Sequence, residues 1–246
     1  MGGLFVKRAG QGPRVVLLHG AALAGELCWH QQLGLADRFA LEIVDRAGYG
    51  RSHQVSPGED LDADAPLVAG LLPEGAHLVG HSSGAVAAML AAALRPQAVL
   101  SLTLCEPPAF QLAPGSVPAQ QMARDLEEHL RKAGDDAPWL RGFLAIVGRS
   151  VVIPDQLPPS LAQGVHAVRA IRRLPWEGEL PVGPLAAASF PKLVISGNHS
   201  PAFEAVCDAL AASLGVQRAY VTGAGHATPE TGDTFNETLE TFIRTA

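Results

Sequence analysis

The stretch His77-Leu78-Val79-Gly80-His81-Ser82-Ser83-Gly84-Ala85 decides how the chain is read. An apolar run of strand length, His77 to Gly80, leads into Gly-x-Ser-x-Gly at Gly80 to Gly84, and an alanine-rich run of helical length continues to Leu94. The five-residue pattern alone is a weak signal in a chain with 26 glycines. Its place between a strand and a helix gives it weight. A strand turning directly into a helix leaves no room for side chains at Gly80 and Gly84, and it strains the residue between them so that its hydroxyl is exposed. The helix also aims its N-terminus at that hydroxyl, where its partial positive charge favours a developing anion. Ser82 is the candidate nucleophile; the bland alternative is a glycine-rich turn with an incidental serine.

A serine hydroxyl needs a base to take its proton. Of nine histidines, His226 has the best setting, because Gly223-Ala224-Gly225-His226 follows the last strand candidate. Loops at the C-terminal ends of strands are where a doubly wound sheet builds its site. His77 and His81 are four apart, a metal spacing on a helix, but they fall in a strand and a turn and read as structural. His19-Gly20-Ala21-Ala22, after the strand Val15 to Leu18, brings backbone N–H groups beside the serine, and Ala21 and Ser83 are the candidate donors of an oxyanion hole. Asp45, in the turn Asp45-Arg46-Ala47-Gly48-Tyr49-Gly50-Arg51-Ser52, reads as a structural loop residue.

Outward from the site, strands alternate with helices. Val15–Leu18, Leu41–Val44, His77–Val79, Ala98–Leu104, Leu193–Ile195 and Val216–Val221 are strand candidates. Trp29–Arg38, Asp62–Leu72, Gly84–Leu94, Pro201–Leu214 and Glu230–Thr245 are the helices between and after them. This order predicts an α/β protein with a mostly parallel, doubly wound sheet covered on both faces. From 107 to 190 no strand is apparent. Met122, Leu126 and Leu130, then Trp139, Phe143 and Val147, then Leu161, Val165 and Val168 recur at helical spacing. The expectation is a sheet core, 1–106 and 191–246, with 107–190 inserted as a helical cap, the whole forming one domain.

Composition sets the outer bounds. The 246 residues suit a single large domain, and 18 Lys+Arg against 24 Asp+Glu give a net charge of −6, which excludes phosphate-driven nucleic-acid binding. Apolar residues make up 48%, enough for a sizeable core. No apolar run approaches a membrane span, and the start Met1-Gly2-Gly3-Leu4-Phe5 lacks the order of a signal peptide. Cys28, Cys105 and Cys207 are odd in number and widely spaced, so neither a disulfide framework nor a zinc site is expected. A cytoplasmic protein without metal or cofactor, with no membrane or nucleic-acid partner, is the expectation; oligomeric state is open.

With His19-Gly20, Asp45-x-x-Gly48-x-Gly50-x-Ser52, Gly80-His81-Ser82-Ser83-Gly84 and Gly225-His226 in order, the chain resembles the α/β-hydrolase superfamily, in the group with a helical cap after the sixth strand. The resemblance implies Ser82 as nucleophile, His226 as general base, the N–H groups of Ala21 and Ser83 as oxyanion hole, and the chain order serine, acid, histidine. Little chain precedes Val15, so the antiparallel first strand of the usual eight is in question. The acid departs further. The family's usual Asp, three residues beyond a Gly, is here Ser200 in Gly197-Asn198-His199-Ser200. Some members place the acid one strand earlier, where Leu104-Cys105-Glu106-Pro107-Pro108 offers Glu106; Asp208, inside a helix, is the weaker competitor.

The implied activity is a cofactor-independent serine hydrolase acting on a small carboxylic ester or lactone through an acyl-enzyme. Serine-dependent carbon–carbon bond hydrolases and perhydrolases share the triad, and a small-molecule sensor of the same fold with slow or single-turnover cleavage is the alternative from another class. Phe110, Trp139 and Phe143 are either pocket lining or cap-to-core packing.

Overall fold

The computed structural model describes residues 3–246. Seven strands form one sheet: β1 Phe5–Ala9, β2 Arg14–Leu18, β3 Ala40–Asp45, β4 Ala76–His81, β5 Val99–Cys105, β6 Lys192–Ser196 and β7 Arg218–Tyr220, in spatial order β1-β3-β2-β4-β5-β6-β7. All neighbouring pairs are parallel except β1 with β3. The short N-terminal segment is therefore a strand, and an antiparallel one. Five residues suffice at this edge because Ser52 Oγ accepts the Phe5 N–H at 2.8 Å and Arg8 reaches Glu42 on β3 at 3.2 Å. The sheet has seven strands where eight are usual, and the helical insertion follows the fifth strand of this chain.

The helices are α1 Gly25–Trp29, α2 Leu61–Gly70, α3 Ser83–Leu94, α4 Val117–Leu130, α5 Asp136–Ile146, α6 Pro159–Arg169, α7 Val182–Ala187, α8 Pro201–Leu214 and α9 Asp233–Thr245. Two differ from the sequence expectation. The Trp29–Arg38 stretch is the end of α1 followed by a 3-10 turn at His30–Leu35, and the Glu230–Thr245 stretch is broken by Gly232 at φ 64°, which starts α9 afresh. Gln32 locks the first change in place: its amide donates to Pro229 O and Asn236 Oδ1, both at 2.9 Å.

Alternation along the strands feeds two cores. Val16, Leu18, Leu78, Leu102 and Leu104 face one way, and Val15, Leu17, Val79, Cys105 and Ile195 the other. Helix α3 is buried nearly all round, which explains its alanine content. Small side chains let it lie close against β4 and β5 with α2 and α7 beside it. Between β5 and β6 the chain is helical, α4 to α7, and Trp139, Leu140, Phe143, Val165 and Val168 pack into the first of the two cores. No helix is long and apolar enough to cross a membrane among the described residues.

Candidate active site

Ser82 leaves β4 at φ 55° and ψ −129°, and α3 begins at the next residue. Two glycines make that turn possible. A Cβ on Gly80 would lie 2.4 Å from Gly84 O, and one on Gly84 would lie 2.3 Å from His19 O. The strained conformation is held by the Ser82 N–H donating to Cys105 O at 2.8 Å and by the Ala85 N–H returning to Ser82 O at 2.8 Å.

The Ser82 hydroxyl donates to His226 Nε2 at 3.0 Å, and His226 Nδ1–H donates to Glu106 Oε2 at 2.6 Å. The structure thus brings three separated residues into one relay of hydrogen bonds. His226 is fixed from outside the relay as well. His81 Nε2–H donates to the His226 carbonyl at 2.7 Å, and the Phe203 ring stacks on the imidazole with centroids 4.3 Å apart. Burial and the charge of His226 push His81 down to about 3, so it stays a neutral donor, in keeping with its structural reading. Asp208 is elsewhere: it is exposed on α8 and paired with Arg218.

Glu106 is fully buried and sits at φ 45°, directly after β5. Burial alone would raise its pKa. The hydrogen bonds from His199 and His226, the charge of His226 and the Gly197 N–H outweigh burial and hold the carboxyl at about 2. Gly197 N–H reaches Oε1 at 2.6 Å, and His199 Nε2–H reaches Oε2 at 3.0 Å. Ser200, where the usual acid would stand, is the N-cap of α8 and makes no side-chain capping bond.

Ala21 and Ser83 both border a cleft that includes Ser82. The Ser83 N–H lies in the first turn of α3, where N–H groups have no acceptor within the helix. Gly20 keeps the other strand-end loop close, since a Cβ there would lie 2.8 Å from the Ser82 Cβ. Behind Ala21 and Ser83 is a residue the sequence reading left without a role. Arg46 is fully buried; its guanidinium donates to His19 O at 2.7 Å, Ser83 Oγ at 2.9 Å and Asp64 Oδ2 at 2.8 Å, and it lies 3.3 Å from Glu59. The charges of Glu59 and Asp64 overcome burial and keep it ionised. Tyr49 donates to Glu59, and Asp45 Oδ2 accepts the Arg51 N–H at 3.0 Å, so the Asp45–Ser52 turn is structural.

Two adjoining clefts meet at Ser82. Phe143 borders both, with Trp139 stacked on it at 5.5 Å, whereas Phe110 packs on Trp176 and Phe203. The ion pair Arg149–Glu230 lines the first. Glu106, His199 and His226 form the one group of three metal-ligand types among the described residues, with ligand atoms within 4.8 Å of one another. Both imidazoles, however, aim at a single carboxylate oxygen at hydrogen-bond distances. A zinc ion needs about 2.0–2.2 Å to each donor, and a 2.6 Å N–O contact is bridged by a proton instead.

A sequence model of the alpha/beta hydrolase family matches residues 15–238. The chain belongs to that family. Among its curated relatives, the pimeloyl-[acyl-carrier protein] methyl ester esterase of Aeromonas hydrophila is 34% identical over 189 residues, covering 74% of this chain and 67% of that protein. The enzyme of the same name from Methylococcus capsulatus is 40% identical over 114 residues, 46% of this chain and 44% of its own length. Against that protein and the one from Chromobacterium violaceum the similarity thus spans less than half of the relative, 44% and 39%. In three dimensions this alpha/beta hydrolase is similar to a thermophilic esterase from Thermogutta terrifontis, with a TM-score of 0.74 at 21% identity, covering 98% of this chain and 93% of that one. Carboxylesterase CesB from Bacillus subtilis gives 0.71 at 18% identity, with 99% and 92% covered. At such identities the likeness speaks for the fold.

Proposed function

We propose that the chain is a serine esterase using Ser82, His226 and Glu106, with residues 107–190 as a cap over the core formed by 1–106 and 191–246. The observation that carries this is the relay from Ser82 Oγ through both His226 nitrogens to Glu106, at 3.0 and 2.6 Å. His226 takes the Ser82 proton as Oγ bonds to the ester carbonyl carbon. The carbonyl oxygen becomes an oxyanion that accepts from the Ala21 and Ser83 N–H groups. As the C–O bond to the alcohol breaks, His226 returns the proton to the leaving oxygen. Water then repeats the sequence on the acyl-serine, with His226 as base, and frees the acid.

The curated relatives named as methyl ester esterases favour an open-chain ester with a small alcohol over a lactone, and a methyl ester of a medium-length acyl chain is the substrate class we favour. Cys28, Cys105 and Cys207 are free and buried, which suits the reducing cytoplasm.

A fluorophosphonate probe should label Ser82, and Ser82→Ala should abolish both labelling and turnover of methyl esters while the protein remains folded. Adduct on another residue, or turnover of lactones in preference to every open-chain ester of a panel, would overturn the respective part of the reading.

A further inference from the structure

His199 has no part in the reaction just described, yet it is built into the site. Its side chain is 15% exposed, and its Nε2 lies 3.0 Å from Glu106 Oε2, the oxygen that also takes the His226 Nδ1–H. The neighbouring Asn198 adopts φ 51°, and its N–H donates to Glu204 Oε1 at 3.1 Å, which fixes the turn carrying the ring. Two glycines make room for it. A Cβ on Gly148 would lie 2.7 Å from His199 Nδ1, and one on Gly197 would lie 3.1 Å from its Cδ2. The histidine thus occupies the loop from which the usual acid is missing.

We propose that His199 is a positioning residue of the triad: its Nε2–H holds Glu106 Oε2 and limits how strongly that carboxylate draws the Nδ1 proton of His226. The inference rests on Glu106 being the triad acid. A carboxylate shared among the donors of Gly197, His199 and His226 is a weaker base than one bonded to His226 alone. Without His199, Glu106 would stabilise the imidazolium more. The imidazolium would then persist to higher pH and would be a weaker acid toward the leaving alkoxide. The charged residues on the elements against His199 are Glu106 after β5, His226 after β7, Arg149 beside Gly148 and paired with Glu230, and Glu204 on α8, paired with Arg218. Of these, Glu106 is the one bonded to the His199 ring among the described residues.

The test compares His199→Leu with His199→Gln. The leucine variant should shift the acid limb of kcat/KM upward by about half a pH unit or more and lower kcat about fivefold, with KM little changed. Glutamine carries a terminal N–H donor and should return the limb to within about 0.2 unit of wild type. A folded leucine variant with an unmoved limb, or a glutamine variant displaced as far as leucine, overturns the proposal. Should the leucine variant not fold, ring ¹⁵N spectra of the wild-type protein decide. A protonated His199 Nε2 at the pH of activity is expected, and a bare one contradicts the donor role. Glu106→Gln run in parallel separates the failures. If it stays active, the acid assignment falls and this proposal with it; if it is inactive while His199→Leu keeps a wild-type profile, the role of His199 alone falls.

Discussion

Ser82 and Glu106 follow residues that are register partners on adjacent parallel strands, His81 on β4 and Cys105 on β5, and each leaves its strand at positive φ, 55° and 45°. The Ser82 N–H donates to Cys105 O at 2.8 Å, and the Glu106 N–H donates to Ile195 O at 3.0 Å. Three neighbouring strand ends are therefore stitched together by backbone bonds before any side chain is considered. The sheet register sets how far Ser82 is from Glu106, and His226 bridges what remains. The loops after β5 and β6 lie together at this end of the sheet, where the Gly197 N–H donates to Glu106 Oε1 at 2.6 Å.

Replacing His226 by Ala removes the proposed base. Steady-state kinetics should show kcat falling by at least about 10³ with little change in KM, since the lost interaction acts in the transition state. A variant with near-normal kcat would mean that another base serves.

Glu106 also links stability to pH. Its carboxyl is held at about 2 in the fold against an ordinary 4.5. Because the folded value is depressed, the stabilisation is fully present above about pH 4.5 and is lost as pH falls toward 2; a shift of this size corresponds to ~3 kcal/mol. Denaturant unfolding of wild type and Glu106→Gln should show a stability gap at pH 7 that narrows steadily below pH 4.5. A gap independent of pH across that window would show that the charge of Glu106 is not what the fold uses.

Arg46 ties the loop after β2 to the first turn of α3. Arg46→Met would leave Glu59 and Asp64 buried without their cation, a loss of about 3–5 kcal/mol. For a chain of this size that lowers Tm by roughly 6–20 °C. The deficit should be smaller at pH 5 than at pH 8, because Asp64, pushed up to about 6 by burial, then takes a proton. Equal Tm for variant and wild type would contradict this account of the network.

How much of this was legible in the sequence differs by residue. Ser82 and His226 announce themselves through glycines that only a tight turn needs, and Glu106 through its place after an apolar strand and before Pro107-Pro108. The mostly parallel sheet follows from the alternation of apolar strands and helices, whereas its spatial order appears only in the structure. β1 was obscured because Phe5–Ala9 alternates weakly and is held by distant groups, Ser52 and Glu42. The break before α9 depends on Gly232, whose conformation no periodicity reveals. Arg46 looks like an ordinary turn residue until β2, α2 and α3 are assembled around it. His199 carries no local signal either, since its partner lies 93 residues away.

If Ser82, His226 and Glu106 act together, kcat of Glu106→Gln registers it. The amide keeps the side-chain volume, removes the charge, and can hold His226 in the wrong tautomer. By analogy with the same kind of change at the acid of a serine protease, kcat should fall by about 10⁴. Retention of more than about a tenth of wild-type kcat, a loss under ~1.4 kcal/mol in the barrier, would contradict the account.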